Sequence, residues 1–197
     1  LKKSLLFGSL TVLLAIAIPA FAQQLDVGFS VSTLVSSSAS NSQLGFGIPP
    51  EKGGAYTGFN AGVVFRNRLG FNGEVSWRAS QAIYNSFQPY RPIFYDFNGV
   101  YQPRLGKRAG LDLMAGIGGE SIREYNNYYQ CNFVSCTNYN SSNHFMGHIG
   151  GGFRYYFWHS FFIRPEAHLY IIHNNDEFSS GNIGRVGATI GYSLRPE

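Results

Sequence analysis

Between Phe153 and Ile172 the chain alternates residue types so regularly that few folds can hold it. In the first arm Phe153, Tyr155 and Phe157 fall on one face, with Arg154 and Tyr156 on the other. A tight turn follows near Trp158–Ser160. In the second arm Phe161, Ile163, Pro165, Ala167, Leu169 and Ile171 share a face, opposite Phe162, Arg164, Glu166, His168 and Tyr170. Side chains alternate sides along a strand, so this is a hairpin with one apolar and one charged face. Each arm can extend to roughly ten residues, about the length with which a tilted strand crosses a bilayer. Arginine, glutamate and histidine cannot face lipid there, but they can face one another inside a closed barrel. The rest of the chain is expected to repeat the hairpin until the sheet closes.

It does repeat. Period-two strands are expected at Leu25–Ser32, Ala55–Phe65, Phe71–Ser80, Ile93–Gln102, Ala109–Gly118 and His144–Arg154, in the hairpin's second arm, and at Arg185–Leu194. The connections alternate long and short. Val35–Gly54, Gln81–Arg91, Glu124–Asn143 and His173–Gly184 are polar and lack a period, so they are expected as loops. The turns at Arg66–Gly70, Pro103–Arg108 and Trp158–Ser160 are short. The expected fold is all-β: an eight-stranded antiparallel up-and-down transmembrane β-barrel. Short turns would lie at the periplasmic side and long loops outside. A soluble lipocalin-like barrel would reverse the faces, apolar inside and polar outside.

Composition agrees. Charged residues are 13% and aromatics 16% of 197 residues, and mean hydropathy is −0.10, which excludes a bundle of membrane helices. Lys2 and Lys3 precede an apolar run from Leu5 to Ile18, then Pro19 and Ala20-Phe21-Ala22. A charged start, an apolar run and an A-x-A site read as a cleavable signal peptide, residues 1–22, ahead of a barrel domain, 23–197. At about 14 residues the run is short of the roughly 20 that a spanning helix needs. With Lys2 and Lys3 set aside, 13 basic residues face 11 acidic ones, too weak a bias to indicate nucleic acid.

This layout resembles the OmpA/OmpX-like outer-membrane β-barrels, including the outer membrane protein β-barrel domain group. The resemblance covers roughly Gln23–Leu194 and includes runs such as Phe162-Ile163-Arg164-Pro165-Glu166 and Ile190-Gly191-Tyr192-Ser193-Leu194. It implies the outer membrane of a Gram-negative bacterium and outer-membrane lipid and lipopolysaccharide as surroundings. Further implications are delivery by periplasmic chaperones to the barrel-assembly machinery, and a monomer. Such barrels commonly end on an aromatic residue, whereas here Arg195-Pro196-Glu197 follow Leu194.

The inward parity gathers Glu74, Arg78, Asp96, Asp112, Glu120, Arg154, Arg164, Glu166 and His168, along with Asp26 and Arg185. An eight-stranded barrel is just wide enough for side chains to fill. These groups are therefore expected to pair as a lumenal plug, with a narrow solute pore as the alternative where Gly116, Gly118, Gly150 and Gly152 remove bulk. His144 and His148, four apart on a strand, lie about 13 Å apart, too far to share one ion. No catalytic constellation, G-x-S-x-G or glycine-rich phosphate loop is present, so no enzyme, cofactor or metal is expected. Cys131 and Cys136 are expected to form a disulfide in an exported chain. Around them Tyr125, Tyr128, Tyr129, Phe133 and Tyr139 form a candidate recognition loop for an extracellular ligand. Trp77, Tyr101, Trp158 and Tyr192 are candidates for the aromatic girdle. The functional expectation is envelope structure or surface interaction through the loops.

Overall fold

The computed structural model describes residues 24–36, 51–84, 87–131, 136–175, 177–178 and 181–194. The expected signal peptide, Phe133 and Arg195-Pro196-Glu197 lie outside the described residues. Nine strands follow in order: β1 Gln24–Val35, β2 Tyr56–Val64, β3 Leu69–Arg78, β4 Ala82–Tyr84, β5 Gln88–Tyr101, β6 Ala109–Cys131, β7 Cys136–Trp158, β8 Phe161–Ile172 and β9 Asn182–Leu194. Each ring strand pairs antiparallel with its neighbour. The ring closes because β1 pairs β9 (Leu25↔Leu194) and β3 pairs β5 (Leu69↔Tyr101). Eight strands make the barrel, and β4 is an extra arm folded only onto β5. Closure gives the edge strands partners, which hydrocarbon requires because it offers no water to a free N–H or C=O.

The expected faces hold through the ring. In β8 the odd residues are exposed and Phe162, Arg164, Glu166, His168, Tyr170 and Ile172 are buried in strict alternation. The exposed face is apolar: Phe71 and Phe97 are 65% and 72% accessible, and Phe29, Phe59, Ile117, Ile149, Leu169 and Ile190 are also exposed. A soluble protein rarely shows so continuous an apolar surface. The opposite arrangement of a lipocalin is absent from these strands. The β7–β8 ladder steps from Gly152↔Glu166 to Tyr155↔Ile163 across Pro165, which has no N–H to donate.

Three expected loops need correction. Glu124–Asn143 is mostly strand: β6 and β7 are 23 residues each, paired in one register from Ala109↔Tyr155 to Tyr125↔Tyr139 and, past an irregularity between Tyr125 and Gln130, in a shifted register to Cys131↔Cys136. Beyond Glu124, β6 has no further ladder partner on the β5 side. This two-stranded ribbon touches neither lipid nor a second layer, so nothing imposes an apolar period that a sequence reader could see. Gln81–Arg91 contains β4 and the start of β5, and β9 begins at Asn182 within the expected last loop.

Cysteine scanning checks the register. Cysteines at positions 163 and 169 should react with bilayer-restricted thiol reagents, whereas those at 164 and 166 should resist them. The reverse pattern would refute this alternation.

Candidate functional site

The lumen is built in layers. At the short-turn end, Gln24 and Asp26 of β1 meet Gln102 after β5, Asp112 of β6, Arg154 of β7 and Ser193 of β9. Gln24 Nε2 donates to Asp26 and to Gln102 Oε1 at 3.0 Å, and Gln102 Nε2 donates to Asp112 Oδ1 at 3.0 Å. Arg154 bridges the acids, at 2.5 Å from Asp26 Oδ2 and 2.7 Å from Asp112 Oδ2, and lies 4.0 Å over the Phe162 ring. Arg164 donates from Nη1 to the same Asp112 oxygen at 2.8 Å and from Nε to Glu166 at 2.7 Å. Thr189 donates to Glu166 Oε1 at 2.9 Å.

Above these, His168 stands 3.4 Å from Glu166, and its Nδ1 is 2.8 Å from His148 Nε2. Nδ1 of His148 is 2.5 Å from Asn98 Oδ1, and Asn98 donates to Asp96. In the hydrogen bond between the rings one nitrogen donates and the other accepts. Arg185 pairs Glu74 and donates to Ser76 at 2.8 Å. The lumenal glycines are occupied space: a Cβ on Gly150 would stand 2.6 Å from His168 Nδ1, and one on Gly152 would stand 2.7 Å from Arg164 Cγ. Two expected members leave this network. Arg78 lies against Gly54 and faces Glu51, and Glu120 is met by Asn175 at 3.3 Å and by Glu51. Both sit toward the ends of their strands that carry the long connections, where loop residues reach them before the arginines and acids of the lower layers do.

An apolar layer separates the two groups. Leu34, Tyr56, Phe94, Met146, Tyr170, Ile172 and Ile183 are all buried in one cluster, with Phe94 and Tyr170 stacked at 5.2 Å. Sequence reading missed it, although the same parity that places the charges inward also places these residues inward. Beyond the layer the chain folds over the mouth. Glu51 is fully buried and accepts from Tyr56 Oη at 3.3 Å. Burial pushes the Glu51 carboxyl above its ordinary range, outweighing its hydrogen bonds to Glu120 and Tyr56 and the Arg78 charge. Two buried carboxyls in contact cannot both ionise cheaply. Phe178 packs with Ala82, Tyr90 and Ile122 as a second small cluster, backed by Tyr84, whose hydroxyl donates to the Glu177 carbonyl at 2.8 Å.

Two constellations missed in the sequence invite chemistry, and neither supports it. Ser142 Oγ and Glu177 Oε2 approach His144 Nε2 at 2.8 and 3.0 Å. A hydrolytic triad needs its carboxylate on the ring nitrogen opposite the nucleophile; here both compete for one atom. Glu74, Glu166 and His168 bring possible metal-ligand atoms within 4.8 Å of one another, but Arg185 and Arg164 already pair the two carboxylates. Cross-strand packing brings residues of β7 and β8 to the 173–178 segment and to β3, and no linear spacing announces either group.

A family model described as "outer membrane protein beta-barrel domain" matches residues 8–193. The chain belongs to that family. It is therefore an integral outer-membrane β-barrel, placed by its family in the Gram-negative outer membrane. Among solved structures it is similar to Ail of Yersinia pestis in complex with the heparin analogue sucrose octasulfate. That likeness has 12% identity and a TM-score of 0.55 over 87% of this chain and 97% of that one. Neisserial surface protein A is similar at 9% identity and TM-score 0.58, over 86% and 95%. OprG of Pseudomonas aeruginosa is similar at 10% and 0.52, over 89% and 98%. At these identities the likeness shows the fold. No curated protein matches the sequence.

The remaining expected sites fall as follows. Cys131 and Cys136 are joined by a disulfide at the ribbon tip. Tyr125 and Tyr139 face each other across the ribbon, with ring centroids 6.0 Å apart, and Tyr128 and Tyr129 are 62% and 71% exposed. Trp158 stacks on Phe161 at 5.7 Å, and Phe161 meets Tyr192 at 4.9 Å, an aromatic row at the short-turn end. Tyr101 is at that end, opposite Leu69, and Trp77 is at the other, 5.9 Å from Phe59.

Asp112→Ala should destabilise the barrel by about 3–5 kcal/mol, because it leaves two buried guanidinium groups short of an anion. Urea unfolding in micelles, followed by heat-modifiable migration, measures it. A change below about 1 kcal/mol would mean that the network contributes little.

Proposed function

We propose that this barrel is a closed, non-enzymatic surface protein that acts through its β6–β7 ribbon rather than through its lumen. The observation that carries the reading is the pairing of a filled interior with a ribbon that outreaches its neighbours and ends in a disulfide. The rival reading, a small-solute pore, needs a water path where Phe94, Tyr170 and Met146 meet. A lipid-modifying enzyme needs a better-arranged triad than Ser142, His144 and Glu177 provide.

The base of the ribbon supports a ligand class. Arg91 and Arg123 sit directly opposite each other on β5 and β6, two like charges with no carboxylate paired to either among the described residues. Like charges in that position repel. Each is held over a tyrosine instead, Arg91 at 6.0 Å from the Tyr125 centroid and Arg123 at 4.8 Å from that of Tyr139. Guanidinium groups beside flat rings suit a sulfated saccharide, with sulfate on the arginines and sugar faces on the tyrosines. The heparin analogue named with Ail is a ligand of the same chemistry on the same fold. In this reading the chain is exported by its signal peptide, carried by periplasmic chaperones to the assembly machinery, and stands as a monomer among lipopolysaccharide.

Proteoliposomes carrying the protein should bind immobilised heparin. Arg91→Gln with Arg123→Gln should remove most of that binding at physiological salt while leaving heat-modifiable migration intact. Binding that survives the double substitution would exclude this patch.

A further inference from the structure

The short-turn end of the barrel has a charge pattern of its own. Its three connections carry Arg66, Arg68, Arg104, Lys107 and Arg108 and no carboxylate. Among the described residues none of the five makes an ion pair. Charge left unpaired around a membrane protein's rim attracts anionic headgroups.

At one point the charge lines a concavity. A cleft of about 400 Å³ opens where the β5–β6 and β7–β8 turns meet, between Lys107 and Arg108 on one wall and Phe157, Trp158 and His159 on the other. The Tyr156 N–H donates to the Arg108 carbonyl at 2.8 Å and ties the two turns together, so the cations have a fixed partner wall. The β7 strand is irregular between Tyr156 and Trp158, and His159 adopts a positive φ of 44°. The turn leaves Trp158 62% exposed and stacked on Phe161, with Phe157 also against Phe161 at 6.4 Å. Phe161, Ile163 and the exposed face of β8 then run on toward the middle of the barrel. Two cations thus stand at the mouth of a track that is apolar from Trp158 onward.

We propose that this cleft binds one anionic phospholipid, its phosphate between Lys107 and Arg108 and its acyl chains along Trp158, Phe157 and Phe161. The occupant follows from the charge: a zwitterionic lipid brings its own ammonium to a site that already holds two cations, whereas phosphatidylglycerol brings net negative charge. The inference rests on the outer-membrane barrel reading, which puts this end at the periplasmic leaflet.

The chain's two tryptophans make the test direct. Trp77→Phe leaves Trp158 as the only indole, inside the proposed site. This variant is refolded into phosphatidylcholine vesicles containing an equal small fraction of either phosphatidylglycerol or phosphatidylcholine brominated high on the acyl chain. Brominated phosphatidylglycerol should quench Trp158 roughly fivefold more effectively per lipid, in line with one or two added charge contacts. Lys107→Gln with Arg108→Gln should reduce the preference to that of phosphatidylcholine, while Arg66→Gln with Arg68→Gln, an equal loss of charge elsewhere on the rim, should leave it. Equal quenching by the two lipids would overturn the proposal. So would equal loss in both double variants, which would mean a diffuse basic rim without a site. Heat-modifiable migration of each sample reports the barrel separately, so a failure to insert is distinguished from a failure to prefer the lipid.

Discussion

One oxygen of Asp112 receives two arginines, Arg154 at 2.7 Å and Arg164 at 2.8 Å, from the two strands that follow it round the barrel. Much of the lower lumen follows from this contact. Through Arg154 it reaches Asp26 on β1, and through Arg164 it reaches Glu166, Thr189 and the histidine pair. Buried charges cost several kcal/mol each to dehydrate, and only well-aligned partners offset that cost. A network spanning β1, β6, β7, β8 and β9 therefore favours one register over the alternatives, since a one-residue slip of β7 or β8 would turn that strand's lumenal arginine into lipid. Lipid on the outside adds the complementary constraint, because an arginine near the midplane there costs about 2–4 kcal/mol.

Charge alone does not close the interior. The aromatic and aliphatic layer of Tyr56, Phe94, Met146 and Tyr170 lies between the salt bridges and the mouth, and Glu51 caps it from the 51–54 segment. Arg185 ties the layers together, pairing Glu74 and lying 5.4 Å from the Tyr170 ring. In the proposed reading, a barrel filled in this way leaves recognition to what projects from it. The disulfide-tipped ribbon and the basic rim are at opposite ends, and each presents, beside aromatic rings, cations that make no ion pair among the described residues. The two surfaces differ in what surrounds them: one opens toward solvent, the other continues into the apolar face of β8.

How much of this was legible depends on what each residue faces. Where one side meets lipid and the other the lumen, as at Phe161–Ile172, alternation states the fold outright. Eight ring strands and their faces follow from that contrast. In the ribbon no face is set against lipid, so Tyr125, Tyr139 and their neighbours carry no period and read as loop, although strand pairing continues past Glu124 and resumes at Gln130↔Thr137 beyond an irregularity. The pairing of Arg154 with Asp26 was also beyond reach, since parity says which residues point inward but not how strand tilt brings distant ones to the same depth. Tyr56, Phe94 and Met146 were readable by that same parity. They were overlooked because attention to charge treats an inward aromatic as filler, when here the aromatics pack as a buried layer of their own.

The central claim is that the lumen is closed, and electrical recording addresses it most directly. Purified, folded protein in a planar bilayer should give no steady conductance above background across a range of voltages, and Phe94→Ala with Tyr170→Ala, which thins the seal, should introduce stepwise currents. Reproducible single-channel steps from the unsubstituted barrel would contradict the account and make the interior a pore.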